Sequence, residues 1–236
     1  MDNTHPHHHI HECSNSGSHK SCVSLVPIFN HLDVEQMDEI IATVQTVSFK
    51  KGDFIYHAGD RSFSLYIVHK GKVKIYRLSE TGKEQLVRIL NPGDFTGELT
   101  LFRSDLHESF AEAMADTVVC TIHQADLQDL LLKYPSISLK ILEEFSKRLD
   151  QSEKQITRFA TEKVETRIAL FLAECVKDSQ KQEFILPMSK KNLASFLGTT
   201  PETLSRKLSE FEHQGLIKQK PHKMIEIVNL DELLLI

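Results

Sequence analysis

The sequence has few cysteines and lacks long apolar runs, and both absences limit what the protein can be. Four cysteines in 236 residues are too few for a disulfide scaffold. No apolar run approaches the roughly 20 residues that a membrane-spanning helix needs. The N-terminus is rich in histidine and has no apolar segment of the secretory kind. We therefore expect a cytoplasmic protein with no membrane partner.

The sequence also lacks a recognisable catalytic cluster. His57, His69, His107 and His123 are scattered along the chain and form no metal-ligand pairing such as His-x-His. No nucleophile lies in a pattern that would place a base beside it. We therefore expect a protein that is not an enzyme, in which most of these histidines lie at the surface or are packed.

The first 24 residues differ in composition from the rest of the chain. They contain six histidines and two cysteines among very few apolar residues, and these are His5, His7, His8, His9, His11, Cys13, His19 and Cys22. A segment of this kind cannot bury a core, and such a density of His and Cys is typical of metal binding. The spacing fits no particular zinc motif. A purification tag is the alternative, although Pro6 and Ile10 interrupt the histidines.

Residues 25–135 are predicted to form an antiparallel β-barrel of the jelly-roll kind. A short helix around Leu32–Ile41 comes first, and short apolar or alternating runs follow from Val44 to Ile122. Gly-containing turns such as Lys51-Gly-Asp and Asn91-Pro-Gly-Asp separate these runs at close intervals. Turn signals with this regularity favour a barrel or jelly roll.

Residues 136–162 are predicted to form one long helix. The stretch has neither Gly nor Pro, and it carries an apolar seam interleaved with charged residues. A seam of this length usually packs against a second copy in a parallel coiled coil. Packing of the helix onto its own barrel is the alternative.

Residues 163–236 are predicted to form a winged helix-turn-helix domain. Ser189 is a candidate N-cap for the first helix, and Gly198 stands where that helix would end in a left-handed residue. Thr199 or Thr200 can cap a second helix that has Pro201 at its first position. The apolar positions Leu204, Leu208 and Phe211 follow at helical spacing. After them, residues 216–220 and 224–228 read as a hairpin, the wing.

Charge supports a nucleic-acid contact in this region. Seven Lys or Arg residues stand against three Glu residues between positions 189 and 223, a local charge of +4 in a chain of net charge −5. At the start of the second helix, Arg206 can donate two hydrogen bonds to guanine, and Glu202 can accept one from cytosine. The lysines expected to contact phosphates are Lys190, Lys191, Lys207 and Lys218.

The order of barrel, long helix and winged helix-turn-helix resembles the Crp/Fnr family of transcription regulators over about residues 25–236. The motifs that carry the resemblance are Lys51-Gly-Asp-Phe-Ile-Tyr-His-Ala-Gly-Asp, Leu65-Tyr-Ile-Val-His-Lys-Gly-Lys-Val, Pro92-Gly-Asp-Phe-Thr-Gly-Glu-Leu, Arg167-Ile-Ala and Pro201-Glu-Thr-Leu-Ser-Arg. The resemblance makes the fold class α+β, with a cyclic-nucleotide-binding-like jelly roll, a dimerisation helix and a C-terminal DNA-binding domain.

The effector pocket departs from the members that bind cyclic nucleotides. Those members have an Arg-Ser pair that holds the ligand phosphate, whereas this chain has Glu108-Ser109 after its Gly97-Glu98-Leu99 turn. A carboxylate at that position would repel a phosphate. We therefore expect no binding of cyclic AMP, and Glu98 and Ser109 are the remaining candidates for an effector pocket.

The region around Cys120 is similar to that of the Fnr and Fnr-like redox branch. The resemblance implies that Cys120 works with Cys22 and with Cys13, either in an iron–sulfur cluster or in a dithiol–disulfide switch. A 4Fe–4S cluster normally needs four thiolates, so His11 or His19 would have to complete it. A disulfide between Cys22 and Cys120 needs only two thiols. Burial as a small apolar residue is the alternative for Cys120, and it is the interpretation adopted for Cys175.

The resemblance also predicts what the protein reads and contacts. Glu202, Ser205 and Arg206 match the Fnr-type motif Glu-x-x-Ser-Arg, which implies a two-fold symmetric site with TTGAT-like half-sites, and Thr200 is placed beside them. A homodimeric activator that contacts RNA polymerase and responds to oxygen or redox state is the implied function. A haem or divalent-metal sensor on the His/Cys segment and a small-ligand-responsive barrel are the alternatives.

Overall fold

A computed structural model of the chain describes residues 23–61, 63–98 and 106–236. These described residues divide into two compact units, the first within residues 23–82 and 87–148 and the second formed by residues 83–86 and 149–236. In the described ranges, no helix is both long enough and apolar enough to cross a membrane.

The first unit contains the predicted jelly roll. The strands within its described residues are β1 (Gln45–Phe49), β2 (Phe54–Tyr56), β3 (Ser64–Lys70), β4 (Val73–Leu78), β5 (Glu84–Leu90), β6 (Phe95–Thr96), β7 (Phe110–Ala113) and β8 (Thr117–His123). They form two four-stranded sheets in the orders β1-β8-β3-β6 and β2-β7-β4-β5. In the described residues the sheets remain separate and do not close into one barrel, so the jelly-roll form of the prediction is confirmed.

The main core of this unit lies between one sheet and the helices that flank it. Ile67, Phe95 and Ile122 from the strands are almost completely buried. The same cluster includes Phe29 from the N-terminal side of the unit and Ile137 from the long helix. This packing fixes the first turns of the long helix to the jelly roll.

The helices whose bounds lie within the described residues of this unit come before and after its strands. Helix α1 (Val34–Thr43) begins at Asp33, whose side chain accepts from the Gln36 amide at 2.9 Å in a capping box. Helix α2 (Gln124–Lys133) was not expected from the sequence, and helix α3 (Pro135–Thr161) is the predicted long helix.

Helix α3 has a buried side and an exposed apolar side. Ile137 and Ile141 are buried in the core of the first unit. Leu142, Leu149 and Ile156 are spaced seven residues apart and are 62%, 61% and 66% exposed. Seven-residue spacing is the repeat of a coiled-coil seam.

The second unit contains the predicted winged helix-turn-helix. Its elements are α4 (Val164–Ser179), β9 (Glu183–Ile185), α5 (Lys190–Phe196), α6 (Pro201–His213), β10 (Ile217–Lys220), β11 (Met224–Ile227) and α7 (Leu230–Leu233). The three strands form one antiparallel sheet in the order β10-β11-β9. Helix α4 runs to Ser179, and Glu183 of β9 already pairs with Glu226 of β11.

Candidate nucleic-acid interface

The turn between helices α5 and α6 is built by local capping chemistry. The Ser189 hydroxyl accepts from the Asn192 amide at 3.2 Å and starts α5. Gly198 follows the end of α5 with φ +67°, a conformation that side chains rarely adopt. The Thr200 hydroxyl then accepts from the Thr203 amide at 3.2 Å, and Pro201 opens α6. All four predicted features are confirmed.

Helix α6 presents two chemically different sides. Leu204, Leu208 and Phe211 are buried in the second unit, as their spacing predicted. Glu202 and Arg206 are exposed on the other side, one helical turn apart, and Ser205 between them is half-buried. The structure thus gathers the predicted base-reading residues in the N-terminal half of one exposed helix.

The two charged groups on this exposed side are both available to a ligand. The Arg206 side chain is 68% exposed, and its Nε lies 3.8 Å from Glu210 Oε1 in a loose ion pair. A backbone amide and the Thr200 hydroxyl hold the pKa of the Glu202 carboxyl below its ordinary value. Glu202 is therefore ionised at neutral pH and acts as a hydrogen-bond acceptor.

The four lysines predicted to contact phosphates lie in different environments. Lys191 is exposed, and Lys218 is 60% exposed and 3.6 Å from Glu226. Lys190 instead donates to Gln219 Oε1 at 2.8 Å. Lys207 is only 22% exposed and pairs with Glu210 at 2.8 Å. Lys191 and Lys218 are thus well exposed to solvent, whereas Lys190 and Lys207 contact other side chains of the domain.

The wing is attached to helix α6 through a contact that the sequence did not reveal. Glu212 accepts from the Gln219 backbone amide at 2.7 Å and from its side-chain amide at 3.1 Å. Both donors lower the pKa of the Glu212 carboxyl, and the backbone amide has the larger effect. The hydrogen bonds join the last turn of α6 to β10 and so fix the wing beside the recognition surface.

The first unit contains a buried polar cluster around Glu98. Only 8% of the Glu98 side chain is exposed, and its Oε1 accepts from Arg88 at 3.1 Å and from Arg148 of α3. The Tyr56 hydroxyl is 2.8 Å from the Thr96 hydroxyl, and the His107 ring stacks on Tyr56 with centroids 3.6 Å apart. Burial lowers the pKa of His107, which keeps the ring neutral.

The two predicted effector residues lie in and beside this cluster. Glu98 is bound by arginines of its own chain, and Ser109 is half-buried next to Glu108. Glu108 itself pairs with Arg77 at the surface. Arg88, Arg148 and His107 were not anticipated, because nothing in the local sequence indicates which distant carboxylate or ring they contact.

Replacing Glu98 with glutamine is expected to lower the free energy of unfolding by about 2–4 kcal/mol, because two largely buried guanidinium groups would lose the carboxylate that they share. Glu108→Gln is the matched control, since its exposed pair with Arg77 should contribute no more than about 1 kcal/mol. Chemical denaturation of both variants measures the difference. Equal losses of free energy in the two variants would show that the buried Glu98 cluster stabilises the first unit no more than an exposed ion pair does.

The described cysteines differ in their surroundings. Cys120 is 1% exposed on β8, where it stands opposite Thr46 and Ile67 on the neighbouring strands. Cys175 lies half-buried on α4, and burial, with Asp178 and Glu174 nearby, raises the pKa of its thiol to about 12. Such a thiol carries almost no thiolate at neutral pH, so it is a poor nucleophile.

The remaining sensor candidates, Cys13, Cys22, His11 and His19, lie outside the described residues. Among the residues that are described, no group of three or more His, Cys, Asp or Glu side chains is arranged to hold a metal ion. Val23 follows Cys22 in the sequence and is fully buried in the core cluster that also contains Cys120. The described chain therefore begins in the same core as β8.

Two family models match the chain. The cyclic nucleotide-binding domain matches residues 46–134, and the Crp-like helix-turn-helix domain matches residues 166–236. A solved structure, that of FixK2 from Bradyrhizobium japonicum, covers 80% of this chain and 95% of its own at 26% identity, with a TM-score of 0.69. A Crp-like helix-turn-helix is a module that binds double-stranded DNA.

Similar curated proteins span nearly the whole chain. The "Probable transcriptional regulator flp" of Lacticaseibacillus casei is 33% identical over 213 residues, which are 90% of this chain and 96% of that protein. The "Fumarate and nitrate reduction regulatory protein" of Vibrio cholerae is 31% identical over 231 residues, 96% of this chain and 89% of that protein. The chain is a DNA-binding transcription regulator that belongs to the Crp/Fnr family, and within it to the Fnr-like branch.

Proposed function

We propose that this protein is a homodimeric activator that reads a two-fold symmetric DNA site with TTGAT-like half-sites and responds to the oxidation of a cysteine pair. The observation that carries the proposal is the exposed side of helix α6, where Glu202 and Arg206 stand one turn apart at a capped N-terminal end. In a helix-turn-helix this end of the second helix enters the major groove.

The chemistry of this side of α6 determines what it can read. Arg206 offers two parallel donors, which match the N7 and O6 acceptors of guanine, and ionised Glu202 accepts from the amino group of cytosine. Ser205 lies between them and contacts the thymine side by resemblance to the Fnr motif. A guanine–cytosine pair inside a thymine-rich half-site is therefore the target.

The phosphate contacts come from the edges of the domain. Lys191 and Lys218 are well exposed, and Lys190 and Lys207, which contact Gln219 and Glu210 within the domain, are the further candidates for phosphate contact. Thr200 lies at the exposed start of α6, where a hydroxyl can donate to a phosphate. Two open lysines per protomer predict a strong dependence of DNA affinity on salt.

The seam on α3 supports the homodimer. Leu142, Leu149 and Ile156 are apolar, exposed and seven residues apart, as in a two-stranded coiled coil. A second copy of α3 can cover this seam, because its own apolar residues repeat at the same spacing. Two-fold symmetry of the protein then matches two-fold symmetry of the DNA site.

Binding to DNA is tested with a duplex that contains two inverted TTGAT half-sites and with a scrambled duplex of equal length. We expect the symmetric duplex to bind at least about a thousandfold more tightly at physiological salt. Equal affinities would contradict sequence-specific reading.

The cysteine content favours a dithiol switch over an iron–sulfur cluster. Cys175 lies in the second unit with a thiol of high pKa, which leaves three cysteines for the first 120 residues. Four thiolates are the usual ligand set of a 4Fe–4S cluster, so the residues present do not fit that group by thiolates alone. Two thiols suffice for a disulfide, and the burial of Val23 in the cluster of Cys120 supports Cys22 as the partner.

The switch reaction removes one proton from each of two thiols and transfers two electrons to an oxidant such as a small disulfide or a peroxide. The Cys22 and Cys120 sulfurs form the new bond, and the oxidant is reduced to thiols or to water. Because Cys120 stands on β8 in the core that also holds Ile137 of α3, the bond would bias the packing of the long helix.

Either Cys22→Ser or Cys120→Ser is expected to remove the effect of a mild oxidant on DNA affinity. Cys175→Ser should leave that effect unchanged. Titration of DNA binding with and without the oxidant, together with a thiol count, measures both. The serine substitution at 175 is the matched control, because that thiol is also shielded but lies outside the first unit.

The colour of anaerobically purified protein distinguishes the remaining sensors. Colourless protein whose thiols pair on oxidation supports the switch. A broad absorbance near 400 nm with bound iron and sulfide would contradict it in favour of a cluster, and a haem spectrum or bound divalent metal would favour a sensor on the His/Cys segment.

We further infer that cyclic AMP is not the effector. Glu98 is already bound by Arg88 and Arg148, and Glu108 presents a carboxylate held by Arg77 where a phosphate would need a cation. The relatives named as regulatory proteins of fumarate and nitrate reduction support an oxygen or redox signal instead. By membership of the family we also propose contact with RNA polymerase and a cytoplasmic location.

A further inference from the structure

Arg167 of helix α4 makes a contact that local sequence does not explain. Its Nη1 donates to the carbonyl oxygen of Leu197 at 2.7 Å. That carbonyl belongs to the last residue before the turn of the helix-turn-helix, where helix ends leave main-chain acceptors without a partner in the helix. The same guanidinium lies over the ring of Phe159, with 5.2 Å between its Cζ and the ring centroid.

The three contacting elements have different roles in the protein. Phe159 is in the last turn of the long helix α3, Arg167 is in the first half of α4, and Leu197 begins the turn that leads into the recognition helix α6. One side chain therefore joins the end of the seam-bearing helix to the turn that sets where α6 starts.

Gly198 shows how closely these elements approach. A Cβ at position 198 would lie 3.2 Å from Arg167 Nη1 and 3.5 Å from Phe159 Cε1. The φ of +67° also disfavours any side chain there. Glycine at position 198 therefore meets two requirements. It adopts the left-handed backbone of the turn, and it leaves room for the guanidinium and the ring.

The chemistry of Arg167 favours a geometric role over a purely stabilising one. The hydrogen bond of its Nη1 goes to a neutral carbonyl, and its buried Nε has no hydrogen-bond partner among the described residues. A partly buried cation with one neutral acceptor is costly to desolvate, and an apolar side chain could fill the same space. A planar guanidinium that lies over a ring and donates to a carbonyl can fix the orientation of one element relative to the other, which an apolar side chain cannot do.

We propose that Arg167 is a positioning residue, which transmits the orientation of the last turn of α3 to the recognition helix through the Leu197 carbonyl. The proposal rests on the proposed function, since it concerns how two recognition helices are set for two half-sites. In a dimer joined along α3, each Arg167 would fix its own helix α6 against the shared seam. The spacing between the half-sites is then the property that Arg167 controls.

The test compares Arg167→Ala with wild type on three duplexes: two half-sites at the preferred spacing, the same half-sites with one base pair added between them, and a single half-site. We expect wild type to prefer the first duplex clearly over the second. In Arg167→Ala the affinity for the first duplex should fall about tenfold, and the preference for spacing should be lost. Binding to the single half-site should stay within about threefold of wild type.

Arg158→Ala is the matched control. Arg158 also joins α3 to α4, through an ion pair with Glu174 at 2.6 Å, but this pair does not involve the turn residues Leu197 and Gly198. The control should keep the wild-type preference for spacing. Arg167→Lys should recover part of it, because lysine can donate to the Leu197 carbonyl but has no planar guanidinium to lie over Phe159.

The outcomes separate this inference from the proposed function. If Arg167→Ala keeps the spacing preference, or if it weakens all three duplexes equally together with a lower melting temperature, the positioning role is overturned and Arg167 is only a structural residue. If the wild-type protein itself does not distinguish the two-half-site duplex from a scrambled one, the proposed function fails first.

Discussion

Replacing Arg206 with alanine is expected to remove most of the sequence selectivity while leaving non-specific DNA binding in place. The Arg206 side chain is 68% exposed on the reading side of α6, and its ion pair with Glu210 at 3.8 Å is loose. Loss of a bidentate contact to guanine costs about 1–3 kcal/mol per half-site, or roughly 5- to 150-fold in affinity. A dimer with two half-sites loses this twice.

The measurement is the ratio of affinities for the symmetric duplex and for one in which the guanine–cytosine pair of each half-site is changed. Wild type should prefer the first duplex strongly, and Arg206→Ala should bind the two nearly equally. An unchanged ratio would show that α6 does not read the guanine through Arg206.

Lys191→Ala is the control for charge alone. Lys191 is exposed at the first turn of α5 and is expected to meet phosphate, not a base. Its removal should weaken binding to all duplexes by a similar factor and reduce the dependence on salt by about one counterion per protomer. The two variants thus separate base reading from phosphate contact on one domain.

The features that the sequence predicted well are those determined by neighbouring residues. Ser189, Thr200 and Pro201 mark helix starts through hydrogen bonds that reach only two or three residues along the chain, and Gly198 marks a backbone conformation. The strands of the jelly roll other than β6 were predicted for the same reason, since each apolar run ends at a nearby turn. Such signals do not depend on the rest of the fold.

The features that the sequence could not predict depend on distant partners. Strands β6 and β9 have two and three residues, too few to show a period, and exist because Tyr66 and Met224 on other strands pair with them. Arg148 reaches Glu98 across 50 positions of sequence. Lys207 was expected at a phosphate, and the Glu165 carboxylate 3.9 Å from its Nζ comes from helix α4, far away in the sequence.

Replacing Leu149 with aspartate is expected to convert the protein to a monomer and to reduce its affinity for the two-half-site duplex to that for a single half-site. Leu149 is the middle residue of the exposed seam between Leu142 and Ile156, and 61% of its surface is open to solvent in one protomer. Covering that surface twice in a dimer contributes about 2–4 kcal/mol, or at least about 30-fold in the dissociation constant of the dimer. Two buried carboxylates facing each other would weaken the dimer further.

Sedimentation of the variant measures the dimer, and its melting temperature at low concentration measures the protomer. Leu132→Asp is the matched control, because Leu132 is a leucine with 82% exposure on α2, away from the seam. The control should remain a dimer with unchanged DNA affinity. If Leu149→Asp also remains a dimer, the seam on α3 is not the interface; if it is a monomer that still binds two half-sites as tightly as wild type, the two-fold reading of DNA does not depend on the dimer.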